Sequence, residues 1–249
     1  MLKAPMSMVG GLETQFWPGD ILNLSENVQT AALDAAYTYS GKEIADGDIF
    51  RTLMSAGRTD IMPSADDIIA ALMGNLNAVS PPNNELYGLQ PNRSVTLAWP
   101  ANVSPIQPGS SFRRMIVATT AFALTMSVPA SKGISFAAAP YDQVDVAASS
   151  WREYLFKILN SSPTTVIPVS QTNATKPLTV SASNLEAIRN ITPGMSAYGT
   201  NIAASTKVAA VNQDTGVITL DTNVTATLSN NAVTFTPTIV IYGLRSGLK

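Results

Sequence analysis

Apolar and polar residues alternate with the period of a β-strand through much of the second half of the chain. Between Phe122 and Val128 every second residue is large and apolar, which predicts a strand with one buried face. A shorter strand-like run, 112–117, lies just ahead of it. Because only residues 118–121 separate the two runs, the pattern predicts a hairpin.

Further strands are predicted towards the carboxyl end. Residues 151–159 are apolar on both faces, which is typical of a strand central in a sheet or under a subunit contact. A hairpin is predicted from Thr206–Val211, a turn at 213–216 and Val217–Asp221. Strands are also predicted at 232–236 and 238–242, and one helical turn at 185–190.

The strongest helix pattern runs from Pro63 to Met73. Ser64 can cap its first turn, Asp66 and Asp67 complement the positive end of the helix dipole, and Gly74-Asn75 predicts its end. Capping accounts for the two aspartates, so no metal site is predicted there. Asp46-Gly47-Asp48 is predicted to form a turn ahead of a strand at 49–52.

The first 40 residues show no sustained period, and they predict an extended arm with one set of helical turns around Ser25 to Ala36. Large apolar side chains in this arm would be costly to leave in water. We therefore expect the arm to pack on its own domain or on a neighbour. The proline-rich stretch 78–108 holds one strand candidate, Ser94–Trp99, between two prolines.

The amino-acid composition limits the catalytic and metal-binding chemistry that can be expected of this chain. The chain has no histidine and no cysteine, so it offers neither the usual base of a serine nucleophile nor the usual ligands of zinc. We predict no catalytic residue, no cofactor and no metal. Only 13% of residues are charged, against about 25% in an average soluble protein, which indicates that part of the surface is covered in an assembly.

Charge and hydropathy limit the expected partners. The net charge is −2 and no dense run of lysine or arginine occurs, which argues against nucleic-acid binding. The most apolar stretch, 115–128, is interrupted by hydroxyl residues and is shorter than the roughly 20 residues of a membrane span. No secretion signal is expected, and we predict synthesis in a host cytoplasm without membrane binding.

Several short motifs resemble a family of small decoration, or cement, proteins on the heads of tailed bacteriophages. They are a run from Glu43 to Arg51, the sequence Gly57-Arg58-Thr59-Asp60-Ile61-Met62-Pro63-Ser64-Ala65 and the helix residues 68–72. A Gly-x-Ser-Phe strand in that family resembles 109–112, and an Ala-x-Thr strand resembles 123–130. A closing strand pair resembles 153–159 and 239–244.

The chain departs from the family pattern at 164–236. Relatives of this type run almost directly from the strand at 151–163 into the closing strand, so we interpret 164–236 as an inserted β module. Its run 191–202 is similar to a Gly-Met-x-x-x-Gly-Thr-x-Ile module of phage tail and surface proteins. The predicted domains are an amino-terminal arm (1–42), a capsid-binding domain (43–163 with 237–249) and the outward-facing insert.

The resemblance implies an all-β fold with a jelly-roll-like domain and one or two short helices. It implies a structural virion protein that binds the major capsid protein on the outer surface of the head, and a homotrimer. Large apolar residues in irregular segments are enriched at interface centres, so they are the predicted contacts with capsid or subunit. These contact residues are Phe16, Trp17, Ile21, Leu22 and Trp99, and Trp99 could equally close the domain's own core.

Two other functions stay open from the sequence. A tail or baseplate receptor-binding protein could recognise a cell-surface sugar through Tyr198 and Asn201 in the insert. A glycosidase needs two carboxylates roughly 5–9.5 Å apart, and Glu153 with Asp142 or Asp145 is the pair that the sequence offers. An ordinary ion pair explains Glu153 equally well, and we predict that the chain is not an enzyme.

Overall fold

The fold is built mainly from β-strands, with a few short helices. The computed structural model describes residues 36–51, 57–78, 106–118, 121–172 and 174–248, and the backbone of three short strands nearer the amino terminus. The strands are β1 (Met6–Val9), β2 (Leu12–Gln15), β3 (Asn27–Gln29), β4 (Ile49–Arg51), β5 (Arg58–Ile61), β6 (Ser111–Ala118), β7 (Leu124–Ser127), β8 (Ile134–Phe136), β9 (Ser150–Asn160), β10 (Thr165–Gln171), β11 (Pro177–Thr179), β12 (Ser196–Tyr198), β13 (Val208–Asn212), β14 (Val217–Leu220), β15 (Leu228–Thr236) and β16 (Thr238–Leu248). The helices are α1 (Gly41–Asp46), α2 (Ala65–Ala78) and α3 (Leu185–Ile188), the last preceded by a 3-10 turn at Ala182–Asn184. The all-β prediction is confirmed.

A six-stranded sheet in the order β3-β4-β6-β9-β16-β8 forms the first part of the molecule. Its central strand β9 is antiparallel to both β6 and β16, which confirms the prediction of a central strand at 151–159. The pairs β3-β4, β4-β6 and β16-β8 are parallel. Jelly rolls are built from antiparallel Greek-key strands, so the jelly-roll topology is not confirmed.

The predicted hairpin of 112–117 with 122–128 is wrong. Both strands exist, but β6 pairs with β4 and β9, whereas β7 pairs in parallel with β5 in a separate two-stranded sheet. Main-chain hydrogen bonds also join Leu124 on β7 to Val146 in both directions. Apolar alternation identified the strands but carried no information about their partners.

Helices α1 and α2 each begin at a serine that caps the first turn. Ser64 Oγ accepts a hydrogen bond from the Asp67 amide at 3.1 Å, which confirms the predicted start of α2. The predicted end at Gly74-Asn75 is wrong, because the helix continues to Ala78. Helix α1 was not predicted, although Ser40 and Glu43 form a reciprocal capping box around its first turn.

The second six-stranded sheet, β12-β15-β10-β11-β14-β13, lies between Thr165 and Thr236 and is antiparallel throughout. The predicted hairpin is confirmed as β13 and β14, with Asn212 opposite Val217. The helical turn predicted at 185–190 is confirmed as α3.

Two hydrophobic clusters lie under these sheets, and they share no residue. The first packs helices α1 and α2 against β6, β9 and β16, with Ile44, Ile68 and Phe156 fully buried. The second draws all of its buried residues from the stretch between Ile167 and Phe235. The division into three domains stays a prediction.

Hydrogen bonds join the two parts where the chain passes between them. Asn160 Nδ2 donates to Thr192 Oγ1 at 2.7 Å and to the Pro193 carbonyl at 2.9 Å. The Ser196 and Thr238 hydroxyls are buried and 2.8 Å apart. Thr238 lies opposite Asn160 in the β9-β16 register, so the chain leaves and re-enters the first sheet at neighbouring points.

Part of the predicted arm differs from the expectation. Residues 27–29 form strand β3 beside β4, so helical turns do not occupy the whole of Ser25 to Ala36. Strands β1 and β2 pair as a small antiparallel sheet. The strand candidate Ser94–Trp99 lies outside the described residues.

Candidate interaction face

The side of the first sheet that points away from the core carries a mixed apolar and charged surface. Along β9, Tyr154, Phe156 and Ile158 are buried, while the residues between them are exposed or half-buried. The register places residues of β6 and β16 beside them on the same side. We call this surface the outer face; its members are Arg113, Met115, Trp151, Glu153, Leu155, Lys157, Val240, Tyr242 and Arg245.

A charge cluster lies across the three strands of the outer face. Glu153 Oε1 accepts a hydrogen bond from Arg113 Nη1 at 3.2 Å, and its Oε2 accepts one from Arg245 Nε at 2.6 Å. The carboxylate is 13% exposed, whereas the two arginine side chains are 62% and 70% exposed. One partly buried anion therefore holds two solvent-accessible cations.

An aromatic ring adjoins this charge cluster. Trp151 lies so close to Gly247 that a Cβ at Gly247 would meet the indole ring at 2.9 Å. A glycine is needed here because the ring covers the backbone of β16. Trp151, Glu153, Met115 and both arginines line an open depression of about 430 Å³.

The edge of the depression is tied to helix α1. Arg114 Nε donates to the Ile44 carbonyl at 2.6 Å, and its Nη2 donates to the Ala45 carbonyl. These carbonyls belong to the last turn of α1, where a cation is favourable. Burial lowers the pKa of Arg114. Asp48 Oδ1 accepts the Met115 amide at 2.7 Å, which fixes the loop after α1 against β6.

A second polar cluster is buried inside the first core. Arg51 and Asp60 are 0% exposed and form a bidentate ion pair, with Nε–Oδ2 at 2.7 Å and Nη2–Oδ1 at 2.8 Å. The Tyr39 hydroxyl donates to Asp60 Oδ2 at 2.7 Å. Hydrogen bonding to Asp60 raises the pKa of Arg51. Asp60 of the Gly-Arg-Thr-Asp motif is therefore part of the core.

Two tyrosines of this cluster are held in the neutral form. Burial raises the pKa of Tyr37 to about 12, with hydrogen bonding to Glu43 as the next cause. Burial and the neighbouring Asp60 carboxylate raise the pKa of Tyr39 well above its usual range. Arg51 also lies over the Tyr37 ring, 4.9 Å from its centre.

The predicted contact residues are not among those that the structure describes. Phe16, Trp17, Ile21, Leu22 and Trp99 all lie in segments outside the described residues. Their role as capsid or subunit contacts stays a prediction.

Two of the carboxylates named for a glycosidase, Glu153 and Asp145, each have partners of their own. Glu153 belongs to the outer face and pairs with two arginines. Asp145 Oδ1 accepts the Met126 amide at 2.8 Å, and its carbonyl accepts Arg152 Nε on the opposite side of β9. In the part of the chain that the structure describes, no group of three or more acidic side chains could hold a metal ion.

The residues named for sugar binding have structural contacts. The Tyr198 hydroxyl accepts a hydrogen bond from the Gly133 amide at 3.1 Å, which links the second sheet to the first part of the molecule. Asn201 Nδ2 donates to the Thr227 carbonyl at 3.3 Å. None of the described helices has the length and apolar character to cross a membrane.

Sequence reasoning missed the outer face as a unit, although it named Glu153 and its neighbours. Arg113 is 40 residues from Glu153 and Arg245 is 92 residues away, so only strand pairing brings them together. The apolar character of both sides of β9 was the signal in the sequence that pointed to a contact surface at this sheet. Comparison with protein-family models, curated proteins and solved structures finds no match to this chain.

Proposed function

We propose that this chain is a structural virion protein that decorates and cements the outer surface of a double-stranded-DNA phage head. In this proposal it bridges neighbouring major capsid proteins and associates with itself as a homotrimer. The arm bearing Phe16, Trp17, Ile21 and Leu22 reaches across joints between shell subunits, and Trp99 adds a further contact. No side chain of the chain carries out a reaction.

One observation carries the proposal: the motifs that resemble decoration proteins, although scattered between residues 43 and 244, meet in a single core. Helices α1 and α2, strand β7 and the β9-β16 pair all contribute to the first hydrophobic cluster. Asp60 of the Gly-Arg-Thr-Asp motif reaches across that core to Arg51. The segments that carry the resemblance are therefore contiguous in space, as the framework of one domain would be.

The connection of the second sheet supports its interpretation as an insert. Asn160 ends β9 and Thr238 begins β16, and these two residues are register partners. Everything between them forms its own sheet and its own core. A short link between two antiparallel neighbours could replace it without moving either strand, as the family pattern implies.

Cementing requires only many modest contacts. A protein that binds an assembled shell and not its loose subunits stabilises the shell by mass action. When one copy contacts two neighbouring subunits, the second contact forms at a high effective concentration, which strengthens binding further. A chain with few charges and a large β framework can supply such contacts without any reactive group.

Reconstitution tests the proposal. Tail-less heads of the phage that encodes this chain would be prepared without the protein, in expanded and unexpanded forms, and sedimented with the purified chain. We expect saturable binding at a fixed ratio to the shell subunit, and a rise in the temperature at which filled heads release DNA. Failure of the intact, folded protein to sediment with either form of head would contradict the proposal.

A further inference from the structure

The outer face has the opposite charge to the protein as a whole. Among its members, Arg113, Arg245 and Lys157 are cationic and Glu153 alone is anionic. Asp48 and Arg114 at the edge of the depression add one charge of each sign. The chain carries a net charge of −2, so this face is a local positive surface on an acidic protein.

The two arginines contribute little to holding the sheet together. Ion pairs at such exposure are worth about 0–1 kcal/mol, because water screens them and long side chains lose freedom. The hydrogen bonds to Glu153 use one nitrogen of each guanidinium, and each guanidinium has five N–H donors. Both guanidinium groups therefore have N–H donors left with which to bind a second carboxylate in addition to Glu153.

The apolar members give the face a centre that can exclude water. Met115, Trp151, Leu155 and Tyr242 are half-buried beside the charge cluster. Tryptophan, tyrosine, methionine and arginine are the residue types enriched in protein interfaces. An aromatic and aliphatic centre next to exposed arginines fits a protein surface better than a polyanion.

From this arrangement we infer that the outer face docks a segment of the shell protein that presents aspartate or glutamate beside apolar side chains. A partner carboxylate bridges Arg113 and Arg245, and the partner's apolar residues cover Trp151 and Met115. The inference rests on the proposed function, and it names the docking face and the chemistry of the surface that it binds.

Two other occupants fit less well. A nucleic acid would bring phosphates against the Glu153 carboxylate, and specific phosphate binding requires a denser set of cations. A second copy paired face to face by a two-fold axis would set one net positive face against another. Charge complementarity therefore favours an acidic surface on a different protein.

Charge reversal in both directions tests the inference with the reconstituted heads. Arg113→Glu with Arg245→Glu should weaken binding by about thirtyfold or more, since like charges face each other across the contact. Glu153→Gln removes the anion that competes for both arginines, so it should bind as tightly as the wild type or more tightly. The matched control is Lys132→Glu with Lys176→Glu, which makes the same charge change at exposed sites off the face.

The outcomes separate the inference from the proposed function. If the wild type binds heads and the double arginine variant binds equally well, the inference is wrong and the proposed function stands. Loss of binding by folded Glu153→Gln, or equal loss in the lysine control, also overturns the inference. Circular dichroism and thermal unfolding establish that each variant is folded.

If the wild type does not bind heads, the proposed function is wrong, and binding of a defined probe then tests the outer face by itself. Fluorescence anisotropy would use a labelled peptide of alternating leucine and glutamate, its leucine and lysine counterpart, and a single-stranded thymidine oligonucleotide. Binding of only the acidic peptide, lost in the double arginine variant, supports the face. No binding of the acidic peptide, or preference for the oligonucleotide or the basic peptide, overturns it.

Discussion

Replacing Asp60 by asparagine should destabilise the first core strongly and leave the second core unaffected. The substitution keeps the shape of the side chain and removes its charge. Arg51 is fully buried, so its guanidinium would lose its counter-ion with no access to water. Breaking a buried ion pair by removing one of its charges is among the few changes that cost a protein a large part of its stability margin.

The structure sets the size of the effect. Asp60 accepts two short hydrogen bonds from Arg51 and one from Tyr39, all between 2.7 and 2.8 Å. Breaking a buried ion pair by removing one partner typically costs about 3–5 kcal/mol. Typical stabilities are about 5–15 kcal/mol, so Asp60→Asn should remove a large part of the stability of the first core.

Urea unfolding monitored by two signals measures this prediction. The chain has three tryptophans, at positions 17, 99 and 151, and none lies between 164 and 236. Tryptophan fluorescence therefore has no source within 164–236 and includes Trp151 on β9 of the first sheet, while far-ultraviolet circular dichroism follows both parts. We expect the fluorescence midpoint to fall and a dichroism component from the second core to keep its midpoint.

Two variants control the experiment. Arg51→Met with Asp60→Leu removes both charges and should restore much of the lost stability, because apolar pairs of similar volume replace buried ion pairs well. Glu186→Gln breaks the exposed pair with Arg189 in the second part and should change neither signal. A loss of less than about 1 kcal/mol in Asp60→Asn would refute the reasoning for the ion pair. Equal shifts of both signals would refute the independence of the two cores.

Two further predictions concern backbone geometry and pH. Gly133→Ala should lower the free energy of unfolding by about 3 kcal/mol or more, because the φ of +69° disfavours a side chain and the new Cβ would lie 2.0 Å from the Pro237 carbonyl oxygen. Gly109→Ala, with φ +93° and open space around the new Cβ, should lower it by only about 1 kcal/mol. Equal urea midpoints for the two variants would contradict this prediction. Burial raises the pKa of Tyr37 from 10.0 to about 12, and it also raises the pKa of Tyr39 well above its usual range. The unfolded chain therefore loses these protons first, and the free energy of unfolding should fall as pH rises above 10 through 12. Tyrosinate absorbance of the native protein checks this, and ordinary titration of all seven tyrosines near pH 10 would be the opposite result.

Local features of the fold could be predicted from the sequence where one side chain or one short pattern decides them. Ser64 fixes the start of α2, and the two-sided apolar pattern of 151–159 identified the central strand β9. The turn at 213–216 set the β13-β14 hairpin. In each case the deciding pattern lies within a few residues along the chain.

Features that depend on distant partners could not be predicted. Strand β7 pairs with β5, whose sequence Arg-Thr-Asp-Ile has no apolar alternation, so the adjacent β6 was the wrong choice. Gly74 did not end α2, because a glycine inside a helix costs only about 1 kcal/mol. The Arg51–Asp60 pair and the outer face join residues that no local pattern connects. The capping box of Ser40 and Glu43 was visible in the sequence and was overlooked.

The most direct test of the central claim is the number of copies of this chain on purified heads that lack tails. Quantitative mass spectrometry of such heads gives the molar ratio of the chain to the major capsid protein. We predict a fixed ratio with many copies per head, unchanged when tails are removed. A chain that is absent from tail-less heads, or present only in the few copies typical of a tail component, would contradict the claim.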